Sequence, residues 1–180
     1  MRRPVAVRGH TRTMDITIRA VRPEEHDTLA EVTAQAYLGD GLLDFGESDE
    51  YLIDLRDVAR RAAEAEVLVA VEQDERVLGG VTFVARGGGP WADLALDGEA
   101  EFRMLAVARD ARRRGAGEAL VRACVERARA VEGCRRLMLS SQASMRAAHR
   151  IFERLGFVRT PERDWQPVPG VTLFTYALSL

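Results

Sequence analysis

Glu101–Leu120 reads EFRMLAVARDARRRGAGEAL, and the succession of elements along it sets the architecture of the chain. Met104-Leu105-Ala106-Val107 reads as a strand, an arginine and glycine turn follows, and the turn opens an amphipathic helix with Leu120, Val121, Cys124, Val125 and Ala128 on one face. The N–H groups in a helix's first turn have no intrahelical acceptor and lie at the positive end of the macrodipole, so this layout is an anion cradle. Gly115 and Gly117 let the backbone come close to whatever sits there.

Outward from that stretch, Arg135 to Ser140 is the next strand pattern, which makes a strand-helix-strand unit with parallel strands and a right-handed crossover. Upstream, Ile16 to Val21 alternates like a strand, and Pro23 suits the first turn of a helix whose face is Leu29, Val32, Thr33, Ala36 and Tyr37. Gly39 to Gly46 breaks it. A second helix is expected from about Asp49, with Leu52, Leu55, Val58, Ala59 and Ala62 on its apolar face. Glu66 to Glu72 and Arg76 to Arg86 flank Gln73-Asp74-Glu75 as an antiparallel hairpin, and Gly87-Gly88-Gly89-Pro90 enters a long loop. A short helix reaches Leu155 and stops at Gly156, and strands near Phe157 to Thr160 and Val171 to Ser179 complete a mixed sheet.

A chain of 180 residues reads as one domain with room for a core. Hydrophobic residues at 47% and charged residues at 30% are ordinary for a globular protein, and a net charge of −2 points to neither nucleic acid nor a membrane surface. Arg2, Arg3, Arg8 and Arg12 give the first residues a basic bias with no apolar run behind it, so residues 1–14 are expected to be a disordered extension rather than a secretory signal. Met14 is a candidate start of the folded domain, residues 15–180. Cys124 and Cys134 have no metal-ligand spacing and read as buried or partly buried thiols of a reducing, cytoplasmic compartment. No segment is long enough to be a transmembrane helix.

Arg112, Gly115 and Gly117 stand at the spacing Arg/Gln-x-x-Gly-x-Gly/Ala, which resembles the coenzyme A pyrophosphate loop of the GNAT superfamily of N-acetyltransferases. Ala148 to Phe157, AHRIFERLGF, is similar to the closing helix and strand of the same fold. The resemblance spans about Ile16 to Leu180 and implies a central mixed sheet of about six or seven strands flanked by about four helices. It implies acetyl-CoA as co-substrate, no metal, and direct attack by a primary amine, small or peptide-borne, in a ternary complex. It also implies pairing of copies through sheet edges or end strands.

On this resemblance, the backbone of Arg113, Arg114, Gly115, Ala116 and Gly117, with Arg112 and Glu118, holds the pyrophosphate. Leu105, Ala106 and Val107 line the pantetheine arm, which pairs with Leu105 and Val107 like an added strand. An amide near Leu105 stabilises the oxyanion. Glu101 occupies the position of a general base; read as a residue alone, it is equally a strand-edge acid, with Glu99 as its neighbour. Phe152 stands where the family commonly has the tyrosine that protonates the departing thiolate. It keeps packing but donates no proton, which leaves the acid role to water, Ser140 or Ser141, and leaves open a non-catalytic acyl-coenzyme sensor or partner-binding module.

Met145 replaces a common asparagine. His149 is a candidate proton shuttle, although a lone histidine on a polar helix face more commonly reads as solvated. For the acceptor, Asp40 lies in an acidic segment and Tyr37, Phe45, Tyr51 and Trp165 supply aromatic walls; the same residues also read as a solvated loop and core aromatics. A nucleotide triphosphatase would need Gly-Lys-Ser/Thr after the turn, and RNA binding would need stacking aromatics beside Arg112 to Arg114.

Overall fold

The computed structural model describes residues 15–180. The expectations for the basic extension and for Met14 as the start lie outside the described residues. In chain order the elements are β1 (Thr17–Ala20), α1 (His26–Gly39), α2 (Tyr51–Arg56), α3 (Val58–Glu64), β2 (Glu66–Val71), β3 (Val77–Val84), β4 (Glu99–Val107), α4 (Ala116–Ala130), β5 (Arg136–Gln142), α5 (Arg146–Arg154), β6 (Val158–Arg159), β7 (Trp165–Val168) and β8 (Val171–Ser179). The eight strands form one sheet in the order β1-β2-β3-β4-β5-β8-β6, with β7 paired to β8. Only β4 and β5 run parallel, as the strand-helix-strand unit between them requires. This is the mixed α+β sheet expected from the sequence.

Strand β2 shows why its apolar run is unbroken. Val67, Val69 and Val71 pack with Leu29 of α1 and Val58 of α3 on one face. Leu68 and Ala70 pack with Leu120, Val121, Cys124 and Ala128 of α4 on the other, so the strand is covered on both sides. A Cβ at Gly80 would lie 2.6 Å from a Leu29 methyl, so the glycine is what lets α1 settle against β3. Burial of Cys124 also pushes its thiol well above the usual range, and both cysteines are free.

Two elements differ from the sequence expectation. The second helix is two helices, because Asp57 leaves helical geometry (φ −81°, ψ 64°) and its carboxylate caps Arg60 N–H. The break exposes Ala59, expected on the apolar face, and buries Arg61. Arg61 is 1% exposed and donates to Thr82 Oγ1 and the Leu55 carbonyl, each at 2.8 Å. Burial holds its guanidinium below the ordinary arginine range. The second difference is β7, which folds back on β8 with a register irregularity between Trp165 and Val168. Pro167 inside the run argues against a strand in sequence, and an edge hairpin is where a strand tolerates it.

Candidate active site

Strands β4 and β5 pair over three positions alone, Glu99 with Arg136, Ala100 with Leu137 and Glu101 with Met138. Past Glu101 they separate: β5 continues along β8 to Gln142, while β4 stays with β3. A bulge in β4 marks the parting. Gly80 pairs with Ala106 and Thr82 with Arg103, which leaves Met104 and Leu105 without register partners on β3, and Met104 takes φ +54°. A Cβ at Gly79 would fall 2.3 Å from the Ala106 carbonyl oxygen, so glycine there admits the distorted ladder.

The open half of β4 runs into the arginine turn. Ala108 N–H bonds the Leu78 carbonyl at 2.7 Å, a 3-10 turn covers Arg109–Ala111, and the buried Ala111 and Ala116 pin both ends of the loop. Arg113 (φ +61°) and Gly115 (φ +89°) adopt left-handed backbone, and Gly115 caps α4 with no side-chain cap. The first amide bonded back to the cap is that of Ala119, to the Gly115 carbonyl, so the N–H groups of Ala116, Gly117 and Glu118 lie at the helix end ahead of the ladder.

The arginines of the turn are not a uniform solvated run. Arg112 forks onto Asp40 with two 2.8 Å bonds and also reaches the Val107 carbonyl at 3.3 Å, tying the turn to the end of α1. Arg114 pairs with Glu72 at the end of β2, and Glu118 is bound by Arg122 and Arg154, which hold its carboxyl below the usual range, the Arg154 bond foremost. Arg113 is exposed.

Where the strands part, a cavity of about 220 Å³ opens, lined by Tyr37, Tyr51, Asp44, Asp49, Asp93, Glu101, Arg103, Ser140, Ser141, Met145, Trp165, Leu173 and neighbours. The rings of Tyr37 and Tyr51 meet edge to face at 6.1 Å. Burial, reinforced by Tyr51, raises the Tyr37 phenol. Burial alone would depress Arg103, but Tyr51, Asp93 and Glu101 outweigh it and hold the guanidinium above its ordinary value. Arg103 ion-pairs with Asp93 at 2.7 Å, and its Nε has no partner.

Of the acceptor-site expectations, Tyr37, Tyr51 and Trp165 come together on this wall. Asp40 is instead engaged by Arg112, and Phe45 is 74% exposed; neither lines the cavity. Glu101 is 2% exposed and accepts three backbone bonds, from Asp93 N–H at 3.2 Å, Leu94 N–H at 2.8 Å and Ala95 N–H at 2.7 Å. It is therefore not a solvent-facing edge acid. Glu99 is equally committed, to Arg163 through both oxygens at 3.0 Å, to Arg136 at 2.9 Å and to Leu96 N–H.

Phe152 is 3% exposed among the rings of Phe102, Phe157 and Tyr176, in the core rather than on the cavity wall. The reading of His149 as solvated is corrected: it is half-buried, with its ring 5.3 Å from that of Tyr176 and its Nε2 3.0 Å from Ser141 Oγ. The signal available in sequence was the spacing of His149 and Phe152, three apart on one face of a helix.

The chain belongs to the GNAT acetyltransferases: the model of the Acetyltransferase (GNAT) family matches residues 29–157. A GCN5-related N-acetyltransferase from Kribbella flavida is similar at 24% identity, covering 92% of this chain and 98% of its own, with a TM-score of 0.66. An N-acetyltransferase from Staphylococcus aureus Mu50 matches at 21% identity over 92% and 98%, with a TM-score of 0.65. The Salmonella typhimurium protein yncA, solved with its cofactor acetyl-CoA, matches at 21% identity over 92% and 94%, also with a TM-score of 0.65. These likenesses concern the fold. No curated protein matches the sequence. Among the described residues, no cluster of His, Cys, Asp and Glu suits a metal ion, and no helix is long and apolar enough to cross a membrane.

Proposed function

We propose that residues 15–180 act as one acetyltransferase domain that moves an acetyl group from acetyl-CoA to a primary amine by direct attack in a ternary complex. The observation that carries this reading is the parting of β4 from β5 beside the N-terminus of α4. Acetyl-CoA is a substrate, consumed in each turnover, and it needs anion donors for its phosphates and an extended slot for its arm. The amides of Ala116, Gly117 and Glu118, with the exposed Arg113, supply the first. The half of β4 that β5 leaves unpaired, Leu105, Ala106 and Val107, supplies the second, by strand addition. Arg112 and Arg114 act mainly as braces that hold the turn to Asp40 and Glu72. Phe152 supports the wall from the core.

The bulge sets the Leu105 amide apart from the β3 ladder, where it serves the oxyanion. Asp44, Asp49, Asp93 and Glu101 give the cavity a negative bias that draws a cationic amine, and Tyr37, Tyr51 and Trp165 receive its apolar body. Glu101 shapes this end of the cavity by holding residues 93–95 in place. Of the roughly four lone-pair positions on a carboxylate, three are taken by amides, so any proton it accepts goes to the remaining one.

The test is calorimetric titration with acetyl-CoA, ADP serving as competitor, followed by a panel of amines with thiol-release detection. Saturable one-to-one binding and amine-dependent thiol release are expected. Absence of binding at millimolar ligand would overturn the reading.

A further inference from the structure

Ser141, next to last in β5, stands on the cavity wall, and its Oγ lies 3.0 Å from Nε2 of His149, the separation of a hydroxyl and its base. The same hydroxyl also lies 3.4 Å from Met145 Sδ and 3.5 Å from the Gln142 carbonyl, both weaker acceptors at longer range. His149 projects from α5 one turn before Phe152, the residue that lacks the hydroxyl expected of an acid. Glu99 and Glu101 are engaged by arginines and backbone amides, whereas the Ser141–His149 contact couples a hydroxyl on the cavity wall to a titratable ring. We propose that Ser141 and His149 form the proton relay of the acetyl transfer, Ser141 as the catalytic residue that meets the reacting atoms and His149 as a positioning residue that acts through it. The proposal rests on the acetyltransferase reading above and adds the route taken by the proton.

Attack of the neutral amine on the thioester carbon forms the C–N bond and moves the carbonyl π pair onto oxygen. The surplus proton on nitrogen passes to Ser141 Oγ while the serine's own proton passes to Nε2 of a ring protonated on Nδ1, giving a neutral serine and an imidazolium. When the oxygen pair returns, the C–S bond breaks and its electrons stay on sulfur. The imidazolium proton then travels back through Oγ to the sulfur. One proton has crossed from nitrogen to sulfur, and both side chains end as they began. Nitrogen and sulfur are bonded to one carbon in the intermediate, so a single hydroxyl can serve them in turn.

The surroundings suit a ring that starts neutral. Burial lowers the pKa of His149 from 6.5, with Arg159 acting in the same sense, while the Gln142 carbonyl and Glu153 act in the opposite one. The groups facing the ring are Glu153 on its own helix, Tyr176 from β8, and Arg159 from β6, whose guanidinium lies over Phe174 and Tyr176 and is held by Asp164.

The experiment follows the thiolate absorbance of enzyme-bound coenzyme A against pH in the native protein, Ser141→Ala and His149→Gln, with coenzyme affinity measured calorimetrically in each. Affinity is expected to stay within about twofold. The bound thiol of the native protein should ionise below that of free coenzyme A, and at pH 7 either substitution should cut the thiolate fraction by about tenfold, one unit of thiol pKa. Identical thiol titrations in all three proteins would overturn the relay, as would an acetyl group found on Ser141 after incubation with acetyl-CoA. Failure of the native protein to bind coenzyme A would remove the acetyltransferase reading itself, and the relay with it, a result that calorimetry separates from the other two.

Discussion

Replacing Glu101 by glutamine tests whether this carboxylate is first of all an anchor. Leu94 N–H and Ala95 N–H both bond Oε2, at 2.8 and 2.7 Å, and Asp93 N–H bonds Oε1 at 3.2 Å. The glutamine carbonyl can keep the closer pair, but its NH₂ then faces the Asp93 N–H, donor against donor. Exchanging two charge-assisted bonds for neutral ones costs about 1 kcal/mol each, and an unpaired amide about 1–3 kcal/mol more, a total of roughly 3–5 kcal/mol. For a domain of this size each kcal/mol lowers Tm by about 2–4 °C, so a fall of about 6–20 °C is expected. Thermal and urea unfolding of the unliganded protein, followed by circular dichroism, measure it. A loss below about 1 kcal/mol would refute the anchoring. Activity lost in Glu101→Gln therefore speaks to a general-base role only when measured well below its lowered Tm.

Gly117→Glu should weaken coenzyme A binding at least tenfold, about 1.4 kcal/mol, in calorimetry and leave Tm nearly unchanged. The new Cβ meets Ile151 and Val107 only at 3.5 and 3.6 Å, whereas the added charge falls at the helix end proposed for phosphate. Unaltered affinity would remove this turn from the site. Arg163→Met should cost about 3 kcal/mol in urea unfolding, because it strips a two-oxygen partner from the buried Glu99; Arg136→Met, at a half-exposed partner, should cost clearly less, and equal losses would contradict the assignment. The pKa of His149 is lowered in the folded state, so its contribution to stability is complete above about pH 6.5 and is lost as pH falls through the folded value. His149→Gln should flatten that part of the stability profile, and an unchanged profile would place the titration elsewhere.

The strand–turn–helix geometry proposed as the cradle was legible in sequence because its parts are local: a strand, two glycines and a helix start within about twenty residues, each reporting through periodicity or backbone freedom. The aromatic wall was legible only by residue type. Tyr37, Tyr51 and Trp165 come from α1, α2 and β7, and nothing in their spacing separates them from Phe45, which points to solvent. The acids clustered around Asp40 point it toward the acceptor in sequence, yet the fork of Arg112, 72 residues away, engages it.

Short-range periodicity and the glycines of the turn made the β3–β4–α4–β5 succession and the parallel β4–β5 crossover readable from residues alone, whereas the break at Asp57 and strand β7 were not. Which charges are spent on one another became visible with the packing of distant segments. The three amides on Glu101, the arginines on Glu99 and the Ser141–His149 contact depend on where distant segments come to rest, and hydrogen bonding of buried polar groups is settled by that packing rather than by any local pattern.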